Sequence, residues 1–121
     1  MARPPIAELL VNLRRDDQFG WVLTLGSGGA MVELLEDSKT ILLPADTVSI
    51  KTALCSLKSY KLLTGFRGGL HADVTNIVTK IDLLTKAVQD PNNKVREVEI
   101  NPLFVYQRKV LAVDVFLMRY N

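Results

Sequence analysis

Two long apolar runs near the end of the chain, residues 95–106 (VREVEINPLFVY) and 110–118 (VLAVDVFLM), are separated only by the polar link Gln107-Arg108-Lys109. That spacing reads as two strands, and it constrains the rest of the fold. Residues two apart on a strand face the same side, so Glu99 and Asn101 point one way while Val98 and Ile100 point the other. If the two runs form a hairpin turning at Gln107 and Arg108, Val105 faces Val110, Leu103 faces Ala112 and Asn101 faces Asp114. Directly opposed side chains have Cβ atoms about 4.5–5.5 Å apart. The hairpin would then gather Glu99, Asn101 and Asp114 on one face. Gln-Arg is not a favoured two-residue turn, so a longer loop with the same pairing is an equal alternative. A slip of one residue would send Asp114 to the opposite face.

The remainder of the sequence reads as short strands, then helices. The runs ELLVNL, WVLTL, AMVELL and KTILL are rich in Leu and Val and are separated by the turn formers RRDDQFG, GSGG and EDS. This predicts a meander of antiparallel strands. Pro44 stops the fourth run and Asp46 is placed to cap a helix, with Val48, Ala53, Leu54 and Leu57 on its apolar side and an end near Tyr60. KLLTGFRGG then reads as a glycine-rich connection with one short helical turn. From Asp73 onward, Val74, Ile77, Val78, Ile81, Leu84 and Val88 trace one stripe of a second helix, which DPNNK terminates. Strands, two main helices, then two strands predict an α+β domain with the helices packed on a largely antiparallel sheet.

At 121 residues and 48% hydrophobic content the chain is long enough for one domain with a real core, residues 1–121. The formal net charge is only +2, with both signs spread along the chain, so nucleic acid is not an expected partner. No apolar stretch approaches the roughly 20 residues that span a bilayer, and the start MARPPIAELL lacks the pattern of a cleaved leader. The single Cys55 has no companion for an internal disulfide or a metal site, which fits a reducing cytoplasm. The chain enters a strand-like run within a few residues of its first methionine, so it is expected to be a piece of a larger design.

Two carboxylates and an amide oxygen converging on one spot are hard ligands suited to Mg²⁺, which prefers one or two carboxylates together with water and substrate phosphates. Carboxylates brought together without a cation raise one another's pKa. The plainer reading is that Glu99 and Asn101 are ordinary solvated strand residues. Gly26, Gly28 and Gly29 of GSGG could let backbone amides approach a phosphate, or simply make a tight turn. Arg14 and Arg15 could steer phosphates, or be solvated charge at a loop edge. Arg67 lies between glycines that would let a ligand or a neighbouring domain come close.

These residues carry a family resemblance. ELLVNLRRDDQFG, GSGGAMVELLEDS, LLTGFRG, and EVEINPLFV followed by VLAVDV occur in the order found in the carboxy-terminal half of the ATP-grasp domain of ADP-forming acyl-CoA synthetases, the acetate–CoA ligase relatives of the succinyl-CoA synthetase β subunit. The chain resembles that half over nearly its whole length. The resemblance implies the second ATP-grasp subdomain, in an enzyme that joins a carboxylic acid to CoA with ATP, releasing ADP and phosphate, through an acyl phosphate and a phosphohistidine on another domain. It implies Asn101 and Asp114 as Mg²⁺ ligands at the ATP or ADP phosphates. Glu99 is implied as a catalytic residue that touches the metal or receives the phosphohistidine, and Gly28 and Gly29 as cofactor-binding backbone.

The same resemblance implies partners: the first ATP-grasp half and a CoA-binding, phosphohistidine-carrying domain. Without them the chain is expected to be inactive, and a bared apolar surface makes a homodimer plausible. The rival expectation is an autonomous, non-catalytic interaction module that keeps the subdomain fold. A protein lysine acyltransferase parent is a third. The only histidine, His71, lies where the family has a non-catalytic stretch and is not expected to carry phosphate. Three positions depart from the family pattern. Asn12 stands in place of a glycine, and Asp17 and Trp21 in place of prolines, all expected at loops or strand edges.

Overall fold

The computed structural model describes residues 4–29, 36–65 and 68–120. Strands β1 (Ala7–Asp16), β2 (Gly20–Ser27) and β3 (Ser38–Leu42) are followed by helices α1 (Thr47–Cys55), α2 (Tyr60–Leu63) and α3 (Val74–Gln89), then a 3₁₀ turn (Pro91–Asn93) and strands β4 (Val95–Val105), β5 (Val110–Ala112) and β6 (Val115–Arg119). The strands form one six-stranded sheet in the order β3-β2-β1-β4, with β5 and β6 both paired to β4. All described pairings are antiparallel. The fold is therefore α+β, as the sequence predicts. The expected AMVELL strand falls on residues 30–35, and Arg67 on 66–67, both outside the described residues.

Alternation fixes which face of the sheet is covered. Leu9, Val11 and Leu13 of β1 and Leu23 and Leu25 of β2 are buried, and they join Ile50, Leu54, Ile77, Val78, Ile81 and Val88 of the helices in one core. Burying a side chain of this size is worth about 1.5–3 kcal/mol, so the helices are held to this face. The helix starts are fixed by side-chain caps: Asp46 Oδ1 accepts the Ser49 N–H at 2.8 Å, and Asp73 Oδ1 accepts the Asn76 N–H at 3.0 Å.

Helix α1 departs from expectation in two ways. It ends at Cys55 rather than near Tyr60. The Lys58 and Ser59 N–H groups, which continued helix would direct at Leu54 and Cys55, are given instead to the Asp37 carboxylate at 2.6 and 2.8 Å. Its buried side is Ile50, Ala53 and Leu54, with Leu57 beyond, while Val48 is 70% exposed. Val48 lies two residues from Ile50, on the opposite side of a helix with 3.6 residues per turn.

Strand β4 changes phase in its middle. Val11 pairs with Ile100 but Leu9 pairs with Leu103, so β4 places Asn101 and Pro102 opposite the single Leu10. This bulge turns Leu103 and Val105 onto the core face already occupied by Val98. It also explains a proline in a central strand: Pro102 has no N–H for the ladder, and a bulge is where that is tolerated.

Candidate metal and nucleotide face

The hairpin register matches the first alternative above. Val105 pairs with Val110 and Leu103 with Ala112, and beyond the break between β5 and β6 the same register continues with Ile100 opposite Val115 and Glu99 opposite Phe116. The two-residue link Gln107-Arg108 is closed by Tyr106 N–H donating to the Lys109 carbonyl at 2.9 Å. Neither residue has positive φ, so the turn is not one of the primed types usual for such links. Asn101 is thus opposite Asp114, with its N–H donating to the Asp114 carbonyl at 3.0 Å, while Val113 N–H donates to the Pro102 carbonyl at 3.1 Å. The final run is split into two strands where it passes the bulge.

The three predicted oxygen donors have different surroundings. Asn101 Oδ1 accepts the Gly29 N–H at 2.7 Å. Glu99 Oε1 accepts from Asn12 Nδ2 at 3.2 Å, and the same nitrogen donates to Glu97 Oε2 at 2.9 Å. Asp114 is exposed, and its carboxylate makes no hydrogen bond or ion pair among the described residues. Asn101 and Asp114 are therefore joined through the main chain, and Glu99 lies further along β4 in the grip of Asn12. Among the described residues no three His, Cys, Asp or Glu side chains group to hold a metal. The donor set still fits Mg²⁺, because an amide oxygen keeps a second lone pair and one carboxylate suffices where phosphates complete the shell.

The glycine loop meets this face from β2. Gly26 and Gly28 are there for close approach: a Cβ at Gly26 would stand 2.7 Å from the Asp37 carbonyl oxygen, and one at Gly28 2.7 Å from that of Leu9. Gly29 has φ +65°, a left-handed conformation natural to glycine. The Gly28 N–H is already given to the Glu8 carbonyl at 2.8 Å, and the Gly29 N–H to Asn101. Neither amide is idle in the way a phosphate cradle of backbone donors requires.

Two positions were undervalued by sequence reasoning. Asn12 is at neither a loop nor a strand edge; it lies within β1, paired with Glu99, whereas Trp21 is the second residue of β2, at a strand edge as expected. Its signal was its place between Val11 and Leu13, which puts it on the open face when the neighbours face the core. Asp37 is 2% exposed and takes Ser27 Oγ at 2.7 Å besides the two α1–α2 amides, pinning the base of the glycine loop to that corner. Burial opposes its ionisation, but the Ser27 hydroxyl and the Lys58 and Ser59 amides prevail and hold the carboxyl below its ordinary pKa. No local pattern marks Asp37, since its partners lie 10, 21 and 22 residues away.

The remaining candidates have plain surroundings. Arg14 pairs with Asp16 at 3.7 Å and, with Arg15 and Arg96, lines an open polar recess beside Glu97. His71 is exposed, pairs with Thr64 as an isolated bridge and packs its ring against Gly65. Cys55 is a half-buried free thiol on α1. A mostly apolar cavity of about 390 Å³ lies beyond the glycine loop, lined by Ile6, Gly28, Lys61 and Leu62 among others, and does not include Asn101 or Asp114.

The sheet is antiparallel with helices on one face, and Asn101 of β4 stands opposite Asp114 at the break between β5 and β6, an α+β arrangement whose other sheet face is open. A family model described as an ATP-grasp domain matches residues 1–118, and the chain belongs to that family. It is 32% identical over 111 residues to the β subunit of the ADP-forming acetate–CoA ligase II of Pyrococcus furiosus, covering 92% of this chain and 47% of that subunit. It is 36% identical over 104 residues to the ADP-forming acetate–CoA ligase of Methanocaldococcus jannaschii, covering 84% of this chain and 14% of that protein. Among solved structures, the dinucleotide-forming acetyl-coenzyme A synthetase 1 of Candidatus Korarchaeum cryptofilum, in complex with coenzyme A and Mg-AMPPCP and with its phosphohistidine segment pointing towards the nucleotide-binding site, superposes with a TM-score of 0.86 at 30% identity. That match covers 99% of this chain and 55% of the solved one. The chain thus spans about half the length of the β subunit it matches, and resembles the ATP-grasp part of ADP-forming acyl-CoA synthetases.

Proposed function

We propose that this chain is the metal- and phosphate-holding wall of an ADP-forming acyl-CoA synthetase, acting in the cytoplasm where the reduced Cys55 is at home. The observation that carries the reading is Asn101 opposite Asp114 at the β4 bulge, in a chain whose solved relative holds Mg-AMPPCP. Asn101 Oδ1 and the Asp114 carboxylate would hold Mg²⁺ at the ATP or ADP phosphates. The ion, when bound, neutralises phosphate charge and orients it for in-line transfer. Glu99, turned by Asn12, faces the transferring group, either touching the metal or receiving the phosphohistidine. Gly28 lets the loop lie close against β1, and Gly29 supplies the left-handed backbone that carries its N–H to Asn101.

On this reading the opposite wall of the cleft comes from the first ATP-grasp half, CoA binds on a different domain, and the isolated chain does not turn over. In the assembled enzyme, Asn101→Ala and Asp114→Ala should each weaken Mg²⁺ dependence and ADP binding by tenfold or more. Unchanged metal dependence in both would sink the assignment. A second reading, a non-catalytic interaction module that self-associates or binds a protein, is favoured by Val113, Val115, Phe116 and Leu117, which flank Asp114 and are about half exposed. A chain that binds no Mg-ADP alone or with an added ATP-grasp first half, yet forms a stable dimer, would favour it.

A further inference from the structure

We infer that Gly29 is a positioning residue for Asn101, and that its backbone N–H sets the orientation in which the Asn101 side chain meets a divalent cation. The inference rests on the metal reading of Asn101 and Asp114 above. A primary amide can present either its oxygen or its NH₂ to a neighbour, and only the oxygen can ligate a cation. A backbone N–H at 2.7 Å can pair only with the oxygen, so Gly29 decides the choice. The Asn101 backbone is fixed in the ladder by its own N–H to Asp114. Side chain and main chain of Asn101 are therefore held from two directions, one strand pair and one loop.

The loop is itself held at its base. Ser27 N–H donates to the Asp37 carbonyl at 3.0 Å and Ser27 Oγ to the Asp37 carboxylate, while Gly28 N–H donates to Glu8. Successive residues are thus tied to Asp37, to β1 and to Asn101. Gly29 then needs φ +65° to continue the chain, a conformation that a side chain disfavours. The glycine is required by this conformation, and its N–H serves a protein ligand instead of a phosphate. Partners that orient a metal ligand typically change metal affinity by about 10–100-fold when removed.

The test exchanges only that N–H. A synthetic segment of residues 1–54 with glycolic acid in place of Gly29, joined by native chemical ligation to residues 55–121 at Cys55, gives the full chain with one ester. Mn²⁺ with ADP is the probe, read as paramagnetic broadening of the Val113, Asp114 and Val115 amide signals. The ester is expected to bind Mn²⁺ about tenfold more weakly than the all-amide chain, with Asn101→Ala weaker still and Asn101→Asp retaining affinity. Independently of metal, the Gly29 amide should exchange slowly with solvent, fast in Asn101→Ala and slowly again in Asn101→Asp. Wild-type Mn²⁺ affinity in the ester alongside a loss in Asn101→Ala overturns the inference and leaves the metal reading standing. Unchanged affinity in both Asn101→Ala and Asp114→Ala overturns the two together, and fast exchange of the wild-type Gly29 amide overturns the inference even if the ester fails to fold.

Discussion

Replacing Asp37 with asparagine changes almost no volume, yet it should cost this fold a large share of its stability. The Asp37 carboxylate accepts Lys58 N–H on one oxygen, and Ser27 Oγ and Ser59 N–H on the other. An asparagine offers one oxygen. Placed to keep Ser27 and Ser59, it turns its NH₂ against the Lys58 N–H and loses that bond, the shortest of the three at 2.6 Å. A hydrogen bond to a charged partner nets about 1.5–3 kcal/mol, and a neutral one about 1. One lost bond and two weakened ones, offset by no longer burying a charge, give a net cost of about 2–3 kcal/mol. Against a typical total of about 5–15 kcal/mol this is readily measured.

Urea unfolding followed by fluorescence of Trp21, the chain's one tryptophan, reads it directly. With a slope near 1.5 kcal/mol per molar, the midpoint falls by about 1–2 M. The pH dependence identifies the charge as the cause. The folded-state pKa of Asp37 is depressed, so its contribution is complete above the ordinary value of 3.8 and drains away as pH falls through the folded value. The difference between wild type and Asp37→Asn should therefore be constant from pH 7 to about 5 and narrow below about 4. Asp16 and Asp46 are also held low, by backbone amides of Gln18 and Phe19 and of Ser49, but they titrate alike in both proteins and cancel. A difference below about 0.5 kcal/mol at pH 7, or one that persists unchanged to pH 3, would refute the reasoning, since a single charge-assisted bond should exceed it.

Asn12→Ala removes the one donor shared by Glu97 and Glu99 and should cost about 1 kcal/mol in thermal unfolding at low salt. Part of that loss should return at 1 M salt, where the two carboxylates are screened from each other; a salt-independent loss would show that repulsion between them plays no part. Gly28→Ala places a methyl group against the Leu9 backbone and should cost about 1–3 kcal/mol by urea titration, whether or not nucleotide is present. Ile50→Ala should cost about 2–5 kcal/mol while Val48→Ala stays within about 0.5. The reverse order would mean that the helix lies on its other side.

What was legible in the sequence is what repeats locally. The strand run ELLVNL, the helical stripe from Val74 to Val88 and the cap at Asp46 each depend on residues a few positions apart, and each stands where the pattern put it. Pairing Val105 with Val110 followed from the shortness of the link. The end of α1 was not legible, because Cys55 to Tyr60 has no helix breaker and is stopped by a carboxylate that precedes it by about twenty residues. Asn12 was expected at a loop or strand edge because the run ELLVNL ends one residue beyond it, but β1 continues through to Asp16 and carries it opposite Glu99.

The bulge at Asn101 and Pro102 ties these observations to function. An unbroken β4 that kept Val98 and Ile100 on the core face would carry Pro102 and Phe104 there too, and leave Leu103 and Val105 outside. The extra residue lets both ends of the strand bury their aliphatic side chains, while Asn101, at the change of phase, is free of the packing that fixes either end. A residue so placed answers to hydrogen bonds more than to volume, and Asn101 has them from Gly29 and Asp114. The side-chain amide of Asn101 is therefore oriented by a hydrogen bond from Gly29, which is what the proposed metal ligand would require. The apolar content of VEINPL serves the core on both sides of it, and the asparagine between them is held by one bond of the strand ladder, to Asp114, and by the Gly29 N–H from a loop outside the strands.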